Sequence, residues 1–350
     1  MEDASIQPTF SDLTITRACS GMGTSGICTS SLTFSVPRED YEIIISKKAP
    51  KVIVTIYNEL ENRIPVPEFF VDSRPCVNGR VNFTCYDKMA FADGIRFTET
   101  DIANLSGKIT ALALYQMIAA KMQLTISGGL DVQCIKDIDV EALPGTTCAE
   151  WLEKLSAVQC GFFYITNDNK LAFSRYNHEN GSLAGITEYT EPDFGNTLTV
   201  SEIIVDGDSG KQYTRTDNNN PGGLTLNISG GALVNNRTTG ALANIVLGTT
   251  YTYGKVEKAI VYDIPQINSM FRHSGSALLI NNITAVISRT GITASLAANQ
   301  AGGNEIGQLM GRISRQLDAA IKSGDKLNNG SMLATRYQGI IWRDDNDEEE

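Results

Sequence analysis

The chain has 350 residues, longer than one ordinary core supports, so two or three domains are expected. Hydrophobic residues make up 42% and charged residues 20%, a soluble globular balance, and no apolar run approaches the ~20 residues that a membrane-spanning helix requires. A net charge of −11 argues against binding phosphate backbones as the main task, because that interaction needs clustered Lys and Arg.

The opening MEDASIQPTF is acidic and has neither the basic flank nor the apolar core of a secretory signal, so synthesis and folding in the cytosol are expected. Leu13–Ala18, Ile27–Val36, Glu42–Ile45 and Lys51–Tyr57 are short β-branched runs between Gly, Ser, Pro and charged residues, and they read as strands. Gly21 to Gly26 formally matches G-x-G-x-x-G. The run that follows it, Cys28–Val36, has strand chemistry, whereas a dinucleotide site needs a helix N-terminus there, so the segment reads as a hairpin loop. From Glu68 to Asp93 the pattern predicts two strands about Asn78-Gly79, a dipeptide suited to a type I′ turn. In the second strand Val81, Phe83 and Cys85 alternate with Asn82, Thr84 and Tyr86, and Asp87-Lys88-Met89 leaves the sheet. Residues 1–92 therefore predict an all-β unit, a small barrel or sandwich.

After Asp93 the period changes. Thr110–Met122 places Leu112, Tyr115, Ile118, Ala119 and Met122 at helical spacing, with a strand-like Gln123–Ile126 behind it. Thr146 or Thr147 caps a second helix, Cys148–Gln159, with Trp151, Leu152, Leu155 and Val158 on one face and Gly161 as its stop. Phe162–Thr166 and Lys170–Tyr176 then form strands about the turn Asn167-Asp168-Asn169. Helix then strand, twice over, predicts an α+β domain over 93–192. Strand signals return over 193–300 at Thr197–Asp206, Gln212–Thr216, Leu224–Ile228, Ile245–Leu247, Lys255–Tyr262 and Leu278–Ser288. Long loops at Asp217–Gly223 and Ser229–Gly240 separate some of them, and the whole predicts a second barrel. Residues 301–350 hold a last amphipathic helix, Glu305–Ile321, and an acidic tail, Asp344–Glu350, expected to be solvated. The fold class expected is α+β and mainly β: two small barrels flanking an α+β insert, plus a C-terminal helix.

Catalytic chemistry has little to work with. The two histidines, His178 and His273, lie in polar loop contexts and read as surface residues, which leaves no basis for a Ser-His-Asp arrangement or a His-rich zinc site. No H-E-x-x-H, phosphate-binding G-x-x-x-x-G-K-[ST] or G-x-S-x-G motif occurs. Glu150 and Glu153 are candidates for a carboxylate pair but fall on a predicted helix, where they read as solvated charges. Asp206-Gly207-Asp208-Ser209-Gly210 lacks the distal Glu of a calcium loop and reads as a turn. Arg80, Lys88 and Arg96 are too scattered for a nucleic-acid patch, and Trp151 sits at core spacing. Seven cysteines, at 19, 28, 76, 85, 134, 148 and 160, include no C-x-x-C pair, and most are expected to be reduced, half-buried apolar residues. No catalytic, cofactor-binding or metal-binding residue is assigned.

Three stretches, NGRVNFTCYDKMAF at 78–91, TALALYQMIAAKM at 110–122 and CAEWLEKLSAVQCGFFYITNDNKLAFSRY at 148–176, resemble the baseplate hub proteins at the tail tip of contractile phages and of phage-tail-like bacteriocins. In layout the resemblance covers about 68–300, and its specific parts are the strand ending Thr84-Cys85-Tyr86-Asp87 and the helix leading into GFFYITNDNKLAF. It implies a homotrimeric ring whose two barrels alternate about the axis, joining the hexameric tail tube protein to the central spike protein. Other baseplate proteins and a tape-measure protein would be further partners, with no cofactor, no specific nucleic acid and assembly into the virion or particle. Two readings of other classes stand beside it: a tail-associated cell-wall hydrolase using two carboxylates, and a carbohydrate- or receptor-binding module favoured by the Asn- and Thr-rich loops at 217–240.

Overall fold

The fold is that of a computed structural model, which describes residues 13–19, 26–39, 51–52, 54, 56–57, 63–175, 182–183, 185–207, 210–267, 269–288 and 291–298. All of these belong to one compact unit, residues 1–304. The expected strand Glu42–Ile45, helix Glu305–Ile321 and acidic tail, together with His178, lie outside the described residues.

Alternation builds the N-terminal strands as read. In β1 (Leu13–Ala18) and β2 (Gly26–Pro37) buried side chains recur at every second position, Ile15 and Arg17 in the first, Cys28, Ser30 and Leu32 in the second. The two strands pair antiparallel from Thr14 opposite Thr33 to Ala18 opposite Thr29. The expected hairpin is present as β3 (Phe69–Ser73) and β4 (Arg80–Tyr86), paired antiparallel. Asn78 and Gly79 adopt φ of 51° and 73°, the left-handed pair that the tight turn requires. Lys51–Tyr57 is not one strand: Lys51–Val52 pairs with β3 while Ile56–Tyr57 pairs with Arg63–Ile64, so a run that is β-branched throughout is divided between two partners.

The insert also follows its sequence. Helix α1 (Ala111–Lys121) starts where Thr110 Oγ1 accepts from the Ala113 amide, and it buries Leu114, Tyr115, Ile118 and Ala119, with Leu112 at the margin. Gln123, at φ 53°, turns the chain into β5 (Thr125–Ser127). Helix α2 (Cys148–Ala157) is capped by Thr147, whose hydroxyl accepts from the Glu150 amide while Glu150 accepts from the Thr147 amide, and Trp151, Leu152, Leu155 and Val158 are buried as expected. Gly161 does not end this helix. The helix is over by Val158, and Gly161 opens β6 (Gly161–Ile165), where a Cβ would run into the Ser174 carbonyl oxygen and the Phe173 ring of β7 (Lys170–Arg175).

The C-terminal part contains β8 (Ile186–Tyr189), β9 (Asp193–Gly207), β10 (Gln212–Thr216) and β11 (Leu224–Gly231), then α3 (Asn236–Val246). Here the strand expected at Ile245–Leu247 and the loop Ser229–Gly240 are overturned. Asn235 caps the Arg237 and Thr238 amides, and Thr239, Leu242, Ala243 and Val246 are buried at i, i+3, i+4 and i+7, a helical stripe that a three-residue β-branched window hides. β12 (Thr250–Val261) follows, then β13 (Met270–His273), β14 (Ser276–Leu279), β15 (Asn282–Ser288) and β16 (Gly291–Ala298). Leu278–Ser288 is therefore two strands. It breaks at Ile280 and Asn281, whose amides bond Ser269 and Ala297 carbonyls.

The class is α+β and mainly β, as expected. Among the described residues sixteen strands share one hydrogen-bonded network, β1–β12, β15 and β16 with Lys51–Val52 and Cys76–Val77, whose main path runs β5-β7-β6-β2-β1-β15-β16-β12-β9-β10, while β13 and β14 pair with each other. Among the described residues no pairing closes either set of strands into a barrel. Instead β1 pairs along its length with β15, from Leu13 opposite Ile287 to Ala18 opposite Asn282, which seams the N-terminal strands to the C-terminal ones. β2 carries the other junction: on one edge its residues Gly26–Cys28 hold β6 parallel and Ser31–Pro37 hold β4 antiparallel. One cross-strand row, Ala259, Ala294, Ala285, Ile15, Leu32 and Cys85, is buried from end to end of the seam.

Candidate functional site

The next row of the same buried face runs Val256, Leu296, Ile283, Arg17, Ser30, so a guanidinium follows three aliphatic side chains in the row. Arg17 is 1% exposed. The next residue beyond β4 in register is Asp87, fully buried, whose backbone amide donates to the Ser30 carbonyl. Its carboxylate fills the interval between β4 and β6 on the β2 edge, accepting from the Ser30 amide at 2.9 Å and the Met89 amide at 3.1 Å.

From β1, Arg17 reaches two other parts of the chain. Nη2 donates to Asn167 Oδ1 in the β6–β7 turn, and Nη1 donates to the Pro265 carbonyl at 3.3 Å. Asn167 Nδ2 donates in turn to the Ile264 carbonyl at 3.2 Å, while Arg17 Nε has no protein partner. The N-terminal sheet, the insert and the stretch after β12 thus meet at one polar joint. Burial lowers the Arg17 pKa to about 10, against the opposing charge of Asp87, so it stays a cation at neutral pH. Burial raises Asp87 from 3.8 to about 6, opposed by the Ser30 and Met89 amides and by Arg17. Arg17, Asp87 and Asn167 are all buried. What the arrangement can do is fix three segments in one geometry, because Arg17 bonds both Asn167 and the Pro265 carbonyl while Asn167 bonds the Ile264 carbonyl.

The residues considered from sequence are not brought together. His273 ends β13, its Nδ1 2.9 Å from the Tyr189 hydroxyl and its Nε2 3.5 Å from Glu191, beside a solvent-open hollow lined by Arg272, His273, Ser274, Gly275 and Ser276. Glu150 is taken up by the α2 cap and Glu153 is exposed on the same helix. Asp206 accepts from Gln212 Nε2 at 3.1 Å, and Asp208 is outside the described residues. Arg80, Lys88 and Arg96 donate respectively to Ser35, the Gln123 carbonyl and the Gly145 carbonyl, three separate places. Trp151 is buried, with Nε1 donating to Thr146 Oγ1 at 2.7 Å. No group of three or more His, Cys, Asp or Glu side chains is placed to hold a metal ion among the described residues, and no helix among them is long and apolar enough to cross a membrane.

Two features escaped the sequence reading. Arg17 and Asp87 were both visible as charges in apolar register, Arg17 two positions past Ile15 and Asp87 two past Cys85. Cys19 and Cys28 form a disulfide across the β1–β2 hairpin, with a Cα–Cα distance of 5.0 Å, which leaves Cys76, Cys85, Cys134, Cys148 and Cys160 as thiols. Only the pairing register, in which Cys19 continues past Ala18 opposite Thr29, brings those two together.

No known family model matches the chain, and no curated protein matches it. In fold it is similar to several solved tail proteins. The 43 kDa tail protein of prophage MuSo2 from Shewanella oneidensis shares 13% identity over 82% of this chain and 93% of its own, with a TM-score of 0.43. A tail protein from Neisseria meningitidis shares 12% over 81% of this chain and 90% of its own, with a TM-score of 0.45. An E. coli component of the type VI secretion system, itself similar to T4 bacteriophage tail proteins, shares 8% over 86% of this chain and 76% of its own, with a TM-score of 0.38.

Proposed function

We propose that the chain is a structural hub at the tip of a phage tail or of a phage-tail-like contractile particle, a homotrimeric ring that joins the hexameric tube to the central spike and does no catalysis. The observation that carries this reading is the seam of β1 on β15. It makes the N-terminal and C-terminal β modules one hydrogen-bonded body, with the insert gripped between them through β2 and the Arg17 joint. A part that connects a tube to a spike works by shape and by large buried surfaces, and it needs its modules held at a fixed angle. The three stretches that resemble hub proteins fall on β4, α1 and the α2–β6–β7 unit, of which β4 leads into Asp87 and the β6–β7 turn carries Asn167. The reading includes cytosolic synthesis followed by assembly beside other baseplate proteins, with the tape-measure protein as a further contact.

The test is the native mass of the purified full-length chain, alone and mixed with the tube and spike proteins of the same particle. A trimer, or a 3:6 assembly with tube subunits, is the expected result. A strict monomer that binds neither protein overturns the reading.

A further inference from the structure

We propose that Cys19–Cys28 is a redox-controlled latch that sets how firmly the α+β insert is held to the β modules. β1 and β2 are paired only as far as Ala18 opposite Thr29, yet the three residues of β2 that carry β6 lie beyond that point, at Gly26–Cys28. Tyr164 of β6 stands opposite Cys28 itself. The disulfide is therefore a covalent tie between β1 and the part of β2 on which the insert hangs, one inward-facing position beyond the pair Arg17–Ser30. With the bond open, Gly26–Cys28 loses that tie. The β6 pairing and the contact of Arg17 with Asn167 then rest on a strand end free to fray.

Both cysteines are buried, Cys19 at 5% and Cys28 at 1% exposure, so a thiol reagent reaches the closed bond readily only after the hairpin end opens. Competing chemistry is confined. Burial pushes the Cys85, Cys148 and Cys160 thiols up to about 12 and Cys134 to about 11, which keeps them protonated and poor nucleophiles, and Cys76 alone among these thiols is exposed. The step needs a disulfide oxidant such as oxidised glutathione. One cysteine thiolate attacks it and releases one glutathione. The second cysteine then displaces the other glutathione from the mixed disulfide, so two thiols become one disulfide and one oxidised glutathione becomes two reduced ones. A chain that folds in a reducing cytosol and works outside the cell would close the latch after folding. The inference stands without the hub reading, since it concerns only how the insert is attached.

The test equilibrates the full-length protein in glutathione buffers of stepped ratio, traps thiols by alkylation and locates them by peptide mass. Hydrogen exchange of the fully oxidised and fully reduced forms is then compared. The expected result is a single two-electron transition confined to Cys19 and Cys28, with Gly26–Cys28 and Gly161–Ile165 exchanging faster in the reduced form. The acceleration is up to about a hundredfold, the factor expected for closing a loop of about ten residues. The double variant Cys19→Ser/Cys28→Ser should exchange like the reduced protein in either buffer. Alkylation of both cysteines at every ratio, equal exchange of Gly161–Ile165 in the two redox states, or a double variant that behaves as the oxidised protein would each overturn the latch.

Discussion

Arg17→Met is the sharpest probe of the joint, since methionine keeps an unbranched side chain of similar reach in an aliphatic row and removes only the guanidinium. Two donations from a charged group disappear, to Asn167 Oδ1 and to the Pro265 carbonyl, each worth about 1.5–3 kcal/mol, and both acceptors stay buried. Asp87 also loses the nearby positive charge that favours its ionised form. Against this stands the desolvation of the cation, which the variant no longer carries. The balance for removing one member of a buried charged set is a loss of about 3–5 kcal/mol. With a urea slope of about 3 kcal/mol/M, the unfolding midpoint falls by roughly 1–1.7 M. The assay is urea unfolding followed by far-ultraviolet circular dichroism, beside Thr16→Ser on the opposite face of β1, which should change stability by about 0.5 kcal/mol at most. A loss below about 1 kcal/mol for Arg17→Met at unchanged slope would show that the joint is not what holds the three segments together.

Asp87 gives the pH dependence its sign. Its pKa is raised from 3.8 to about 6 on folding, so between those values the folded chain holds a proton that the unfolded chain has lost. Its contribution is therefore fully present below pH 3.8 and is lost as pH rises through 6, by up to about 3 kcal/mol. Relative to Asp87→Asn, the wild type should lose stability between pH 4 and pH 7, and parallel stability profiles for the two proteins in that window would refute the buried-carboxylate account. Gly161→Ala should cost about 1–3 kcal/mol, because the new methyl meets the Ser174 carbonyl and the Phe173 ring, while Gly129→Ala, where nothing lies within 4 Å, should be near neutral. Equal thermal midpoints for the two glycine variants would contradict the packing reason for Gly161.

How legible each part was follows from the range of the forces that make it. β1, β10 and the α2 face are local patterns, an alternation or a stripe closed by a cap within a dozen residues, and they were read nearly to the residue. Helix α3 was missed because its stripe is made of Thr239, Leu242, Ala243 and Val246, two of them small or polar, and its last turn is β-branched. The seam of β1 on β15 joins residues about 270 apart, and no local period carries that information. Two barrels were expected because each half has enough strands for one. Among the described residues those strands do not close into a barrel, and the first strand, β1, lies between β2 and β15.

The joint also explains how such a seam keeps its register. β1 alternates cleanly, and its outward row, Thr14, Thr16 and Ala18, is small enough that a one-residue slip against β15 meets little steric resistance. The cost of the slip lies elsewhere. It would turn Arg17 outward, strip Asn167 and Pro265 of their donor, and leave Asp87 buried without a nearby cation. An aliphatic residue at position 17 would weaken this penalty as well as the joint itself, since apolar contacts tolerate shifts that directional bonds do not. The charge in apolar register is therefore best understood as the residue that specifies which way β1 faces, and through β1 how the two β modules and the insert are set against one another.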